Sequence, residues 1–385
     1  MHILKLATFI AGTGLQLAAL TPAAQGQNAV NQKVRINQIQ VIGTHNSYHA
    51  GLAPAIAQLM QQKAPETFAE LDYRHANLTA QLNAGVRQIE LDIFADAKGG
   101  RYAHPSGPDI VAKAGLPADE PADPEGKMLH PGFKVMHVQD IDYLSVCQPF
   151  VECLREVRTW SHLHPDHVPV FILIETRQDV ASKEIPMVVP EPFTASVLDA
   201  LDAEIRSVFS KGEIITPDQV RGRFATLEQA VLHDGWPTLE EARGKVVFLM
   251  DQKDVSSLYL QGHPSLRGRV LFTNSEPGQP DAAFMERNEG TAGEIAALVR
   301  KGYLVRTRAD ADMVEARKGD VRRRDEALRS GAQIVSTDYP AFEPARWTGY
   351  FVALPGGVAA RCNPVNATAD CKNALLETKS FAMEQ

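Results

Sequence analysis

The chain has 385 residues, of which 44% are hydrophobic, and its net charge is −8. This length suits one large α/β domain or two smaller ones. The negative charge and the lack of any basic run exclude bulk attraction to nucleic acid or to an anionic membrane, so we expect no nucleic-acid partner.

The N-terminus has the pattern of a secretory signal over residues 1–26. Lys5 precedes the mostly apolar stretch Leu6–Leu20, and Ala24-Gln25-Gly26 offers a cleavage site with small residues. No other stretch approaches the length of a membrane-spanning helix. We therefore expect a secreted or periplasmic protein whose mature part, residues 27–385, has no transmembrane segment.

Short apolar runs separated by helical patterns predict the fold. The predicted strands cover residues 39–42, 86–93, 134–137, 170–175, 246–250, 270–273, 303–306 and 333–336. The predicted helices cover residues 71–83, 150–161, 193–209, 292–301 and 320–330. Eight strands that alternate with helices predict an α/β fold, a single (β/α)8 TIM-like barrel. An open doubly wound sheet is the alternative, although no GxGxxG motif follows the first strand.

The remaining segments predict loops and a tail. Residues 99–133 are rich in Pro, Gly, Asp and Ala and predict a long loop at the C-terminal face of the barrel, and residues 186–192, which contain three prolines, predict another loop. Residues 341–385 predict an irregular tail packed on the barrel. No internal repeat and no second domain is evident.

The four cysteines form two pairs that are close in sequence. In an exported chain this spacing favours the disulfides Cys147–Cys153 and Cys362–Cys371, with free buried thiols as the alternative. A zinc site is not expected, because the chain contains no CxxC motif.

Polar residues stand at or near the C-terminal ends of the predicted strands. These residues are His45, Asn46, Glu90, Asp92, His137, Glu175, Asp251, Arg308 and Asp338. Catalytic groups of a (β/α)8 barrel lie at that end. Glu90 and Asp92 share one face of a strand, so they repel each other unless a cation or a proton lies between them.

The motifs at these positions carry a family resemblance. HNSYH begins at His45, ELD begins at Glu90, MHVQDIDYLSVC begins at Met136, and a further strand ends at Glu175. This ordered set resembles the catalytic X region of calcium-dependent phosphoinositide-specific phospholipase C, in particular its secreted microbial branch. The resemblance covers most of the chain, from about Val34 to residue 364. It implies a TIM-like barrel that cleaves the phosphodiester between diacylglycerol and inositol phosphate.

The resemblance also implies roles for individual residues. His45 falls on the general base and His137 on the general acid. The implied calcium ligands are Asn46, Glu90, Asp92 and Glu175. Their oxygen donors suit Ca²⁺, with Mg²⁺ as the main competitor. The lipid-targeting and calcium-binding modules of the larger eukaryotic relatives are not visible in this chain.

Two further residues are candidates because of their position. Asp338 ends the last predicted strand, which neighbours the first strand in a closed barrel, so it either orients His45 or caps the following turn. Arg308 either contacts the substrate phosphate or forms a surface salt bridge. Asp251 is a weaker candidate.

The leading hypothesis is a secreted, monomeric, Ca²⁺-dependent phosphodiesterase that acts transiently on inositol phospholipid at a membrane surface. A glycerophosphodiester phosphodiesterase is one alternative, although that class usually opens with His-Arg rather than His-Asn. A non-catalytic lipid- or sugar-binding barrel is another, although it would be expected to lack one of the histidines or metal ligands. The sequence leaves open which headgroup phosphorylation is accepted and whether the product stays cyclic.

Overall fold

The computed structural model describes residues 30–377, apart from residues 183, 184, 234 and 312. The predicted signal segment, residues 1–26, lies outside the described residues, as does the end of the predicted tail, residues 378–385. Among the described residues, no helix combines the length and the apolar character that a bilayer span requires.

The described strands join in one sheet. They are β1 (Ile39–Thr44), β2 (Gln88–Phe94), β3 (Lys134–Val135), β4 (Val170–Thr176), β5 (Val246–Met250), β6 (Leu271–Phe272), β7 (Phe284–Glu286), β8 (Leu304–Arg308), β9 (Ile334–Thr337) and β10 (Ala360–Cys362). Eight parallel strands follow the order β6-β5-β4-β2-β1-β9-β8-β7. A parallel bridge from Asn274 to Phe284 joins the two outer strands. The sheet is therefore a nearly closed barrel, which confirms the predicted fold class.

Helices connect the strands. The α-helices are α1 (Pro54–Lys63), α2 (Pro65–Leu71), α3 (Leu78–Asn83), α4 (Gly107–Lys113), α5 (Phe150–Leu163), α6 (Ala195–Val208), α7 (Pro217–Arg221), α8 (Leu227–Val231), α9 (Leu239–Ala242), α10 (Ser256–Tyr259), α11 (Ala292–Arg300), α12 (Val314–Lys318) and α13 (Arg322–Ser330). Short 3₁₀ helices span Ile36–Gln38, Lys127–Leu129, Pro264–Leu266 and Asn373–Leu375. The amphipathic pattern that predicted residues 193–209 gives α6, whose Leu198, Leu201 and Ile205 are buried.

Two predictions about the strands were wrong. Residues 134–137 form only the two-residue β3, which runs antiparallel to β2 outside the parallel ring. The ring instead contains β7, which the sequence prediction missed because only three residues there pair as a strand.

Three other segments also differ from their predictions. The predicted helix over residues 71–83 is divided between the end of α2 and the separate helix α3. The predicted loop 99–133 contains α4. The predicted irregular tail contributes β10, which pairs antiparallel with the start of β1.

Close packing inside the barrel requires glycine at position 43. Gly43 pairs with Gln88 across β1 and β2, and a Cβ atom at Gly43 would lie 1.8 Å from the Gln88 side-chain oxygen. The absence of a side chain thus lets the two strands approach and brings the residues that follow β1 to the rim of the barrel. The disulfides Cys147–Cys153 and Cys362–Cys371 are both present, as predicted.

Candidate active site

Neighbouring strands bring His45 and Asp338 together. Thr44 at the end of β1 is in register with Thr337 at the end of β9, so the next residues of both strands lie side by side. His45 Nδ1 is 2.7 Å from Asp338 Oδ1, and the other carboxylate oxygen accepts a hydrogen bond from Arg308 Nη2 at 2.8 Å. Asp338 therefore holds one ring nitrogen of His45 and leaves Nε2 available.

The surroundings of His45 keep its imidazole neutral. Burial, and then the positive charge of Arg308, lowers the pKa of His45 from 6.5 to about 3, although Asp338 opposes this change. Burial alone would raise the pKa of Asp338, but Arg308 and His45 hold that pKa below its ordinary value. The pair therefore consists of a neutral imidazole and an ionised carboxylate at neutral pH. Arg308 forms a buried ion pair here, and not a surface one.

His137 lies on a tight turn and not on a barrel strand. The turn between His137 and Asp142 is closed by backbone hydrogen bonds, with Asp140 at a φ of 73°. Asp142 Oδ2 lies 2.9 Å from His137 Nδ1. His137 and His45 are thus alike, because in each case a carboxylate holds Nδ1 and leaves Nε2 available.

His49 is a buried histidine in the same group, and its pairing with Asp142 was not predicted from the sequence. Its side chain is fully buried, and its Nε2 is 2.9 Å from each oxygen of Asp142. Its ring centroid is 4.4 Å from that of Tyr73 and 5.9 Å from that of His137. Burial would raise the pKa of Asp142, but the two histidines keep it below its ordinary value. Asp142 is therefore an ionised carboxylate shared by two imidazoles.

An acidic cluster is formed by residues within β2, near the end of β4 and directly after β5. One carboxylate oxygen from each of Glu90, Glu175 and Asp251 lies within 4.8 Å of the other two. Asp92 is in register with Glu175 on the adjoining strand. Glu90 Oε1 is 3.6 Å from His45 Nε2, which places the cluster against the first histidine.

The cluster has a high affinity for protons because its charges are buried and close together. Burial, together with Asp251 and Glu175, raises the pKa of Glu90 from 4.5 to about 7, although Arg306 opposes the rise. Burial and Glu175 raise the pKa of Asp251 to about 6. Burial and Glu175 also hold the pKa of Asp92 well above 3.8. A bound cation would remove the same repulsion.

Several buried oxygen atoms in the site make no hydrogen bond. They are Asn46 Oδ1 and both carboxylate oxygens of Asp92. Asn46 has a φ of 45°, a left-handed value that asparagine tolerates, and its Nδ2 donates to the Tyr73 hydroxyl at 2.7 Å. The amide oxygen therefore stays free to bind a ligand. Unpaired buried oxygens of this kind are costly unless a cation or a proton satisfies them.

Two arginines and one glutamate at the site were not predicted. Arg306 is buried and contacts Glu90, and it also lies 2.8 Å from Glu286. Arg177 Nη1 is 2.5 Å from Glu175 and 3.8 Å from Asp92. Their spacing in the sequence could have revealed both arginines. Arg306 is two residues before Arg308, and Arg177 is two residues after Glu175, so each arginine shares one face of an extended chain with a residue that was predicted for the site.

A cavity opens beside the His45–Asp338 pair. Its volume is about 970 Å³, and its wall includes Asp338, Tyr73, His75 and Trp347. His75 is fixed at its base, with Nδ1 2.7 Å from Glu343 and Nε2 3.0 Å from the backbone oxygen of His45. This cavity reaches the site through Asp338 alone, because its lining contains neither of the histidines His45 and His137 nor any residue of the acidic cluster.

The structure resembles solved phospholipases. Over 89% of this chain and 99% of the other, it matches a calcium-dependent phosphoinositol-specific phospholipase C from Pseudomonas sp., in a myo-inositol complex, with 15% identity and a TM-score of 0.51. Another crystal form of that protein matches over 86% and 96% with 15% identity and a TM-score of 0.50. A Ca²⁺-dependent phosphatidylinositol-specific phospholipase C from Streptomyces antibioticus matches over 79% and 95% with 18% identity and a TM-score of 0.47. The two Pseudomonas matches show that the fold is shared.

The amino-acid sequence identifies the family to which the chain belongs. No curated protein sequence matches the chain significantly. The family model described as "Phosphoinositide phospholipase C, Ca2+-dependent" matches residues 34–364. Because this match spans most of the 385 residues, the chain belongs to the Ca²⁺-dependent phosphoinositide phospholipase C family, whose members are phosphoric diester hydrolases.

Proposed function

We propose that this chain cleaves the glycerol–phosphate ester of phosphatidylinositol, with His45 as general base and His137 as general acid. One observation carries the proposal: two imidazoles at one barrel mouth are each held through Nδ1 by a buried carboxylate, Asp338 or Asp142. This arrangement leaves two Nε2 atoms to exchange protons with a substrate. A non-catalytic barrel would not be expected to keep both pairs, whereas a glycerophosphodiesterase is distinguished by its usual His-Arg in place of His45-Asn46.

His45 takes the proton of the inositol 2-hydroxyl. Its Nδ1–H donates to Asp338, so the Nε2 lone pair is directed to the substrate. In the free site Arg308 weakens this base. A substrate phosphate next to Arg308 would offset the guanidinium charge, so the basicity of His45 would rise when substrate binds.

His137 gives a proton to the leaving glycerol oxygen. The 2-hydroxyl oxygen forms a bond to phosphorus while the bond from phosphorus to the glycerol oxygen breaks. The first products are therefore diacylglycerol and a cyclic inositol phosphodiester. Asp142 holds Nδ1 of His137 and stabilises the imidazolium form that donates the proton. His49 fixes the orientation of Asp142 through both of its oxygens.

The acidic cluster fits a calcium ion. Carboxylate oxygens within 4.8 Å of one another match ligands about 2.4 Å from a central Ca²⁺. We propose the predicted ligands Asn46, Glu90, Asp92 and Glu175, and we add Asp251. When bound there, Ca²⁺ places positive charge beside the phosphate and lowers the pKa of the attacking hydroxyl. Arg306 and Arg177 neutralise the remaining carboxylate charge.

We also propose that the protein is exported and works as a monomer, with residues 1–26 as a removable signal and one catalytic domain over residues 27–385. The two disulfides support export, because such bonds persist in oxidising compartments. Contact with the lipid surface would then be transient and peripheral.

The test measures hydrolysis of phosphatidylinositol against glycerophosphocholine, after treatment with EGTA and after Ca²⁺ or Mg²⁺ is added back. We expect activity on phosphatidylinositol that EGTA abolishes and Ca²⁺ restores. His45→Ala and His137→Ala should each lower the rate by about 10²-fold or more. His162→Ala is the matched control, because His162 is half-exposed in the last turn of α5, the helix that precedes β4, and pairs with Glu213 rather than with a residue of the site. Full activity in EGTA, or a preference for glycerophosphocholine, would contradict the proposal.

A further inference from the structure

Two arginines lie among the carboxylates of the acidic cluster, and they are held to different degrees. The side chain of Arg306 is 2% exposed, and its Nη1 also donates to Asn288 at 2.9 Å. The side chain of Arg177 is 29% exposed, and among the described residues it forms ion pairs only with Glu175 and Asp92. Because Arg177 has fewer partners and an open path to solvent, it is the arginine that can leave the cluster.

The backbone of Arg177 fixes where its side chain begins. Arg177 directly follows β4, and its backbone N–H donates to the carbonyl oxygen of Ile93 in β2 at 2.9 Å. The side chain therefore starts between the two strands that carry Glu175 and Asp92. Its Nη1 lies 2.5 Å from Glu175 Oε1 and 3.8 Å from Asp92 Oδ2. Since the backbone hydrogen bond holds the main chain, the side chain can turn toward solvent without a change in the barrel.

The guanidinium of Arg177 uses the same oxygen atoms that a bound cation would need. The N–O separation of 2.5 Å at Glu175 is close to a calcium–oxygen bond length of about 2.4 Å. Both oxygens of Asp92 are buried and accept no hydrogen bond, so Asp92 gains only a nearby charge from Arg177. A second positive charge beside this guanidinium is repelled, and the repulsion is strong where little water is present. Arg177 and Ca²⁺ therefore cannot both hold Glu175 and Asp92 closely.

We infer that Arg177 is an internal competitor of Ca²⁺, which neutralises Glu175 and Asp92 in the calcium-free protein and releases them when the ion binds. The inference rests on the proposed function, because that function makes Glu175 and Asp92 calcium ligands. Once released, Arg177 stays at the rim of the site, where its charge still offsets part of the remaining negative charge. Arg306 takes no part in the exchange, because Glu90 and Glu286 hold it in the interior.

The competition sets the calcium concentration at which the enzyme becomes active. Several carboxylates in one site favour tight binding of Ca²⁺, whereas extracellular modules commonly bind it at about 10⁻⁴–10⁻³ M. A positive side chain that must first be displaced lowers the affinity of such a site without the loss of any ligand. Arg177 therefore makes turnover depend on a high calcium concentration.

The test compares calcium binding by Arg177→Met with calcium binding by the unaltered protein. Methionine keeps much of the apolar stem of arginine and removes its charge. Calcium is titrated by calorimetry without substrate at pH 8, where Glu90, with a pKa of about 7, is mostly ionised. We expect the dissociation constant to fall about tenfold or more, because a like charge beside the ion is removed. Half-maximal activation of phosphatidylinositol hydrolysis should move to a lower calcium concentration by a similar factor.

Thermal unfolding distinguishes competition from a purely structural role of Arg177. In EGTA, Arg177→Met should unfold at a lower temperature than the unaltered protein, because Glu175 and Asp92 lose their counter-charge. In saturating Ca²⁺ the two unfolding temperatures should converge, because neither protein then uses Arg177 to neutralise these ligands. A purely structural role would lower both temperatures equally and would overturn the inference.

Arg158→Met is the matched control. The side chain of Arg158 is 38% exposed on α5, and it pairs with Glu213 at 2.8 Å rather than with a residue of the site. This substitution removes the same net charge, so it reports any change in the general attraction of the protein for Ca²⁺. We expect Arg158→Met to bind Ca²⁺ like the unaltered protein.

The possible results separate the inference from the proposed function. If the unaltered protein binds Ca²⁺ and Arg177→Met binds it equally or more weakly, or if Arg158→Met gains as much affinity, the inference is wrong and the proposed calcium site stands. If Arg177→Met alone binds Ca²⁺, the competition is confirmed in its strongest form. If none of the three proteins binds Ca²⁺, the proposed calcium site is wrong and the inference fails with it.

Discussion

Replacing Asp338 by asparagine would remove the negative charge between His45 and Arg308. The carboxylate accepts hydrogen bonds from His45 Nδ1 at 2.7 Å and from Arg308 Nη2 at 2.8 Å. An asparagine of the same shape offers one acceptor oxygen, so its NH₂ group must face one of these two donors. The imidazole then loses the tautomer that directs the Nε2 lone pair toward the substrate, or Arg308 loses its nearest counter-charge.

Both losses have an expected size. A wrong tautomer at a carboxylate–histidine pair costs about 10⁴-fold in rate in the serine protease triad. We expect kcat for phosphatidylinositol to fall by about 10²- to 10⁴-fold, which corresponds to about 3–5 kcal/mol in the barrier. A buried charge that loses its partner destabilises a fold by about 3–5 kcal/mol. The stability loss should be below that range here, because Arg308 keeps a second contact with Asp310 at 3.4 Å.

The assay follows hydrolysis of phosphatidylinositol in mixed micelles at saturating Ca²⁺, with thermal unfolding measured in parallel. Asp310→Asn is the control. Asp310 is fully buried and contacts the same Arg308, and its oxygens accept from the Thr337 hydroxyl and the Asp338 backbone, but it does not contact His45. The control should lose stability and keep its rate within about tenfold. If Asp338→Asn kept its rate within about fivefold, or if Asp310→Asn lost as much rate, the assignment of Asp338 to His45 would be refuted.

Two further outcomes are expected. His137→Ala and Asp142→Asn should lose far less rate on a nitrophenyl ester of inositol phosphate than on phosphatidylinositol, because nitrophenolate leaves without a proton. His45→Ala should lose rate on both substrates. If the His137 and Asp142 variants lost rate equally on the two substrates, the assignment of His137 as general acid would be wrong. In EGTA, the unfolding temperature should fall as the pH rises from about 5 to 8, and Ca²⁺ should remove most of this fall. The sign follows from the raised pKa values of about 7 for Glu90 and about 6 for Asp251: protonated acids favour the fold below their unfolded pKa values, and this stability is lost as the pH rises through the folded values. The Glu90 shift corresponds to about 3 kcal/mol at most. Up to about pH 6.5, His45 and His167 oppose this fall, because their lowered pKa values keep them neutral in the folded protein. The decisive quantity is therefore the gain in unfolding temperature that Ca²⁺ gives over EGTA; a gain that does not increase with pH would show that the carboxylates are not packed as described.

Sequence reasoning predicted the barrel because most of its strands are continuous apolar runs. Residues 170–174 are all buried, as expected for a parallel strand covered on both faces. The sequence prediction failed for β7, because three paired residues give too short a pattern to recognise. It also failed for residues 134–137, because a run that resembles a strand leads into a turn there. A run of four apolar and polar residues does not reveal which neighbour it pairs with.

The same limit applies to the site. Residues at strand ends, such as Glu90 and Glu175, could be placed at one mouth because parallel strands end together. The contact between His49 and Asp142 could not be predicted, since it depends on how two loops fold against each other; a backbone bridge from His49 to Ser145 brings them together. Arg306 was missed because a buried arginine is recognisable only when its carboxylate partners are known.

The position of β1 determines when the barrel can be completed as the chain is made. Strands from the end of the chain supply most of the partners of β1. Thr44 pairs with Thr337 of β9, and Gln40 pairs with Arg361 of β10, which lies 321 positions later in the sequence. A chain that emerges from its N-terminus must therefore leave most of its first strand unpaired until nearly all the rest has appeared. Folding of this kind is slow, and the waiting strand edge is open to wrong partners. His45 and Asp338, 293 residues apart, meet only in this last step, so the proposed catalytic pair forms only when the barrel is complete.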